Sequence, residues 1–172
     1  MVQLRAKALN RASLLELAQD LAGLCGAGGA LFFVNDHVDV ALLSGADGVH
    51  LGPDDLSLTA ARRVGGGDLL LGASASTPDA ARAAEAAGAS YLGSGPAYPT
   101  PLKTEKRVIG PQGVAAVAAA VGIPVFAIGG IERRYVPELR AAGVERVCAI
   151  RSLAEAPDPE AEVRRLREAL VV

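Results

Sequence analysis

The chain has 172 residues, 51% hydrophobic and 3% aromatic, with no Trp, 20 Gly and a net charge of −2. Abundant apolar surface at low net charge excludes disorder. No run approaches the roughly 18 uninterrupted apolar residues of a membrane span, and 17 basic against 19 acidic residues supply no cationic field for nucleic acid.

The opening MVQLRAKALNR carries charges too closely spaced for a secretory signal. Cys25 and Cys148 form no CxxC pair and sit in apolar runs, so the reading is a cytoplasmic chain with both thiols in its core.

The run at 2–8 (VQLRAKA) reads as a first strand, with Gln3, Arg5 and Lys7 on one face and Leu4 and Ala6 on the other. A helix follows, capped by Asn10 or Ser13, with Leu14, Leu17, Leu21 and Leu24 on one face. Strands are expected at 30–35 (ALFFVN), 48–52 (GVHLG) and 69–74 (LLLGAS). Thr77-Pro78-Asp79 starts a helix that ends at Gly88. A strand at 91–95 (YLGSG) leads into a long connection, 96–109, stiffened by Pro96, Pro99 and Pro101. Strands at 124–130 (PVFAIGG) and 145–150 (ERVCAI) come next. A last helix from Asp158-Pro159 carries Val163, Leu166 and Leu170 inward.

Strands alternating with helices, without hairpin turns, mean an α/β fold with a parallel sheet. AAGASYLGSG, AVGIPVFAIGG and AAGVERVCAI repeat one pattern of helix end, Gly and strand. The first strand is not followed by GxGxxG, so the pattern favours a (β/α)8 TIM-type barrel over an open doubly wound sheet. Seven strands are counted where that barrel has eight. The expectation is one barrel domain, 1–172, lacking the first β/α unit. Its open edges would be closed by an upstream segment or by a homodimer.

The chain has only three Lys, two Asn and three Gln; of these, Gln3, Lys7, Asn35 and Lys103 lie in or just beyond strands. The amide and two cations of Gln3, Arg5 and Lys7 suit an anion such as diphosphate, the alternative being a wet edge strand. Two neighbouring strands finish with the carboxylates Asp36 and Asp55. With a phosphate these would form a Mg²⁺ site, and otherwise each would cap the helix after it. His37 and His50 lack metal-ligand spacing; His50 reads as a core or rim residue and His37 as exposed. Gly129-Gly130 lets backbone approach a phosphate or makes a tight turn. Arg151 faces the same corner.

QLRAK, FFVNDHVDVAL, GADGVHLGPDD, YLGSGPAYPTPLK and IPVFAIGGI occur in the order and spacing of one family. From Gln3 to about Leu170, the chain resembles thiamine phosphate synthase. The resemblance implies a Mg²⁺-dependent transferase that joins a hydroxymethylpyrimidine diphosphate to a thiazole phosphate, releasing diphosphate. It places Gln3, Leu4, Arg5, Ala6 and Lys7 around the pyrimidine diphosphate, with Asn35 on the pyrimidine side. Asp36 and Asp55 fall on the metal ligands, and Ser74 on a substrate-contacting serine. Thr100, Pro101 and Leu102 fall on the thiazole phosphate loop and Lys103 on its diphosphate-binding lysine. Gly130, Ile150 and Arg151 fall on the remaining thiazole phosphate contacts. Arg5, Lys7 and Lys103 would act on the leaving group. The chain departs from the family pattern at Leu102 (usually Thr), Arg151 (usually Ser), His37 (usually Arg) and Ser76 (usually His). The two other readings are a phosphate-binding paralogue without catalysis and a thiazole tautomerase, which usually has His where Pro96 stands.

Overall fold

The computed structural model describes residues 1–101 and 107–171, the last of these by its backbone alone. Seven strands alternate with helices among them. They fall into two compact units, one of residues 1–74 and 86–90, the other of 75–85 and 91–172.

The first unit holds β1 (Val2–Leu4), α1 (Arg11–Ala27), β2 (Phe32–Asn35), α2 (Val38–Ser44), β3 (Gly48–Leu51), α3 (Leu58–Gly65) and β4 (Leu70–Ser74). Each strand pairs in parallel with the next in the chain, in registers such as Leu4 with Val34, Asn35 with His50 and Leu51 with Ala73. Phe32, Phe33 and Val34 are all buried. The strand is therefore covered on both faces, as the helices of a parallel sheet require. Gly48 is needed where it stands, because a Cβ there would lie 2.3 Å from the Phe33 ring and 2.4 Å from the Leu70 carbonyl oxygen.

Asn10 caps α1, its side chain accepting from the Ser13 backbone N–H at 3.0 Å. The buried face of α1 is Leu14, Ala18 and Cys25, with Leu21 and Ala22 packed beside it. Leu17 and Leu24 are exposed, Leu24 to 70%, so the leucine face is only partly covered. The leucines at 14, 17, 21 and 24 share one face, and the core meets the flank of it that carries Leu14. Small Ala18 allows the close approach that fixes which face is inside. The first strand also ends earlier than its alternation implies. Pairing with β2 stops at Leu4, and Leu9 N–H then closes a turn onto the Ala6 carbonyl at 3.1 Å. Arg5 therefore follows the end of the paired strand and Lys7 lies in the turn, so neither shares a strand face with Gln3.

The second unit holds α4 (Pro78–Ala86, up to Glu85), β5 (Tyr91–Ser94), α5 (Gly110–Ala118), β6 (Val125–Ile128), α6 (Val136–Ala141), β7 (Val147–Cys148), α7 (Arg151–Ala154) and α8 (Pro159–Val171). β5 pairs in parallel with β6, and β6 with β7. Thr77 caps α4 through the Ala80 N–H at 3.2 Å, and Asp158 caps α8 through the Ala161 N–H at 2.9 Å. Leu166 of α8 is buried, but Val163 is 41% exposed, against expectation. Cys25 is a core residue as expected; Cys148 is only half-buried. Among the described residues no helix is long and apolar enough to cross a membrane.

Candidate active site

The described residues among those expected at the site fall into two sets, one in each unit. In the first unit they gather at the carboxyl ends of β1 to β4. Asn35 ends β2, and the next residue, Asp36, adopts φ +68°, the left-handed region that few residues other than Gly, Asn and Asp enter. Its N–H donates to the His50 carbonyl at 2.9 Å. The bend carries its carboxyl into hydrogen-bond contact with that of Asp55. Burial raises the Asp36 pKa above its ordinary value, and the hydrogen bond and charge of Asp55 raise it further, while Lys7 and His37 pull the other way. Lys7 Nζ lies 4.0 Å from Asp36 Oδ2.

Neither carboxylate caps a helix. The cap position of α2 is His37, without a side-chain hydrogen bond, and that of α3 is Ser57, which accepts from the Ala60 N–H. Asp55 instead accepts from the Gly52 N–H at 2.7 Å within its own loop. The capping alternative is thereby removed for both. Two acidic groups held together, one with its charged form disfavoured, are a donor set that a divalent cation relieves. Among the described residues no cluster of three or more His, Cys, Asp or Glu side chains offers a fuller metal cage. Gln3, Leu4, Asn35 and Ala6 are half-buried nearby in the chain, Arg5 is exposed, and His37 is half-buried where the sequence placed it outside. Ser74, at the end of β4, is within 3.0 Å of His50 Nε2, which gives His50 a polar partner at the strand ends.

In the second unit a cavity of about 540 Å³ is lined by Thr100, Gly129, Gly130, Ile150 and Arg151, the residues that the sequence brought to one corner. Gly130 has φ +66°, and a Cβ on it would lie 2.7 Å from the Pro99 carbonyl oxygen and 2.8 Å from Tyr98 Cβ. The glycine is there because the loop after β5 crosses it. Ser152 Oγ donates to the Ile131 carbonyl at 2.9 Å, tying the start of α7 to the residue after the two glycines. Pro101 is exposed; Leu102 and Lys103 lie outside the described residues.

The sequence reading missed Glu132, Arg133 and Arg134, which also line this cavity. Arg133 pairs with Glu162 of α8 at 3.6 Å and Arg134 with Glu132 at 3.1 Å. The signal was available in the charged triplet directly after Gly129-Gly130-Ile131.

The family model for thiamine monophosphate synthase matches residues 1–153. The chain belongs to the thiamine monophosphate synthase family. A thiamine-phosphate synthase of Haloquadratum walsbyi is 45% identical over 169 residues, covering 96% of this chain and 76% of that one. One from Salinispora arenicola is 49% identical over 156 residues, covering 90% of this chain and 75% of that one. A solved thiamine phosphate pyrophosphorylase of Pyrococcus furiosus superimposes with a TM-score of 0.90 at 38% identity, covering 98% of this chain and 81% of that one. The fold is thus the α/β TIM-barrel type with seven parallel strands, as the repeating strand–helix pattern led us to expect. With family membership comes thiamine-phosphate synthase activity, an enzyme's step in thiamine biosynthesis.

Proposed function

We propose that the first unit holds Mg²⁺ and the hydroxymethylpyrimidine diphosphate, and that the cavity of the second unit holds the thiazole phosphate. The observation that carries this reading is the Asp36–Asp55 contact, in which a left-handed backbone brings two acids together beside Lys7. Mg²⁺, the family's usual metal, supplies neutralisation of the charge that develops on the leaving diphosphate. Asp36 and Asp55 hold it. Lys7 and Arg5 bring cations to the same oxygens; Lys103, outside the described residues, is assigned to the diphosphate by the family motif alone. Gln3 and Asn35 offer amides to the pyrimidine, Leu4 and Ala6 apolar contact, and Ser74 a hydroxyl oriented by His50.

Departure of diphosphate leaves a benzylic-type pyrimidine cation, and the thiazole traps it. The chemistry requires no protein nucleophile; positioning of the two substrates and stabilisation of the leaving charge supply the rate. On the thiazole side, Gly130 permits close backbone approach, Thr100 offers a hydroxyl and Arg151 a guanidinium for the phosphate. Ile150 lines the wall, and the family motif assigns Pro101 and Leu102 to the same phosphate loop. Arg151 stands where the family usually has Ser, and it offsets the hydroxyl absent at Leu102.

Thiamine phosphate formation from both substrates by the purified protein tests this function. Chelation of divalent ions is expected to abolish it, and added Mg²⁺ to restore it; turnover indifferent to chelator removes the metal from the account. Arg151→Ala is expected to raise the KM for thiazole phosphate about tenfold, the worth of one charge-assisted hydrogen bond. Steady-state kinetics with that substrate varied gives the answer. Tighter binding in the variant would mean that the guanidinium obstructs the pocket.

A further inference from the structure

We infer that Tyr98 is a positioning residue for the phosphate cavity, fixing the loop that carries Thr100 through a hydrogen bond to Glu138. The inference rests on the reading of that cavity as the thiazole phosphate site.

Tyr98 lies in the connection after β5, two residues before Thr100, and is 9% exposed. Its backbone N–H donates to the Gly129 carbonyl at 3.0 Å, next to the Ala97 N–H on the Ile128 carbonyl at 2.9 Å. The connection thereby extends the pairing of β5 with β6 past the end of both strands. The side chain then leaves the sheet. Its Oη donates to Glu138 Oε2 at 2.8 Å, an exposed carboxylate in the first turn of α6. Burial, and after it the Glu138 hydrogen bond and charge, raise the phenol pKa well above the usual value for Tyr, so the proton stays on the phenol as donor. Tyr98 also stacks on Tyr135, with ring centroids 3.9 Å apart and planes at 13°. The Tyr135 ring carries the Arg134 guanidinium 4.8 Å from its centre. Arg134 lines the cavity.

One residue therefore joins α6, through its hydroxyl, to two segments that line the cavity: the glycine turn, through its backbone N–H, and the Arg134 segment, through its stacking on Tyr135. Pro96 and Pro99 limit the conformations of this connection, but neither joins it to α6. A phenylalanine would keep the stacking and the burial and lose only the tie to Glu138. What the tie adds is a fixed placement of Thr100 over the phosphate position, which is worth binding energy because the loop need not be ordered when the substrate arrives.

The experiment is Tyr98→Phe, with both KM values, kcat and calorimetric binding of thiazole phosphate measured beside thermal unfolding. The expected result is a rise of about tenfold in the KM and Kd for thiazole phosphate, matching the loss of a hydrogen bond to a charged group. The KM for pyrimidine diphosphate is expected to stay as it is. Glu138→Ala, a change at an exposed side chain, is expected to reproduce the rise, and Glu138→Gln, which keeps an acceptor oxygen, to give most of it back. A lower melting temperature with both KM values unmoved overturns the inference, because a purely structural tie would do that. Arg151→Ala separates the two levels. If it weakens thiazole phosphate binding and Tyr98→Phe does not, the positioning role alone fails. If neither does, the cavity is not the thiazole phosphate site and the inference falls with it.

Discussion

Asp36→Asn is expected to lower turnover roughly 10²–10³-fold, the usual effect of removing one fixed charge contact from a developing anion, without lowering the melting temperature at pH 7. The two halves of this result have separate causes. Turnover falls because the amide is a poor ligand for Mg²⁺ and leaves Asp55 to hold the ion alone. Stability is kept because Asn enters the left-handed region about as readily as Asp, so φ +68° remains accessible. The sign of the charge effect follows from linkage. The pKa of Asp36 is raised in the folded state, so its ionised form at neutral pH costs folding free energy. Removing the charge is therefore neutral or stabilising at pH 7, and the benefit fades as pH falls through the raised pKa and the native carboxyl takes up its proton. Asp36→Ala behaves differently: it loses the same activity and also about 1 kcal/mol of stability, because alanine pays the left-handed backbone cost. The measurements are kcat at saturating Mg²⁺ and the melting temperature of both variants at pH 7. An Asn variant with full turnover would remove Asp36 from the metal site.

The second large effect is expected at Gly130. With φ +66° and with Pro99 O, Tyr98 Cβ and Tyr98 O within 2.9 Å of a built Cβ, Gly130→Ala meets both strain and a backbone clash. The expected cost is about 2–4 kcal/mol, a fall of roughly 5–15 °C in melting temperature for a chain of this size. The loop over the glycine must also move, and the KM for thiazole phosphate rises with it. Gly143 supplies the control. It has φ +85° with nothing within 4 Å of a built Cβ, so Gly143→Ala carries the backbone strain without the clash. A loss of about 1 kcal/mol is expected there, with the KM unmoved. Equal effects of the two substitutions would show that the close approach of the loop contributes nothing.

Much of the architecture was legible because it depends on local rules. Asn10, Thr77 and Asp158 announced their helices by cap chemistry, and the apolar runs announced the strands. The pair Asp36 and Asp55 was visible as two strands ending in carboxylates. Their contact was not, because it depends on a left-handed residue that no periodicity encodes. The reach of β1 was overread, since alternation in VQLRAKA continues where a partner strand does not. Val163 was placed inward, and Leu17 and Leu24 on the face of Leu14, because helical spacing names a stripe without saying which flank of it meets the core. The tie from Tyr98 to Glu138 joins residues 40 apart in the chain, so only the folded arrangement could reveal it.

The central claim is that this chain couples departure of diphosphate to capture by the thiazole. The most direct measurement is the ratio of diphosphate released to thiamine phosphate formed, with both substrates and Mg²⁺ present and with each omitted in turn. One diphosphate per thiamine phosphate is expected, and neither product when either substrate or Mg²⁺ is left out. Diphosphate released at the same rate without the thiazole, or binding of both substrates with no product at all, would contradict it.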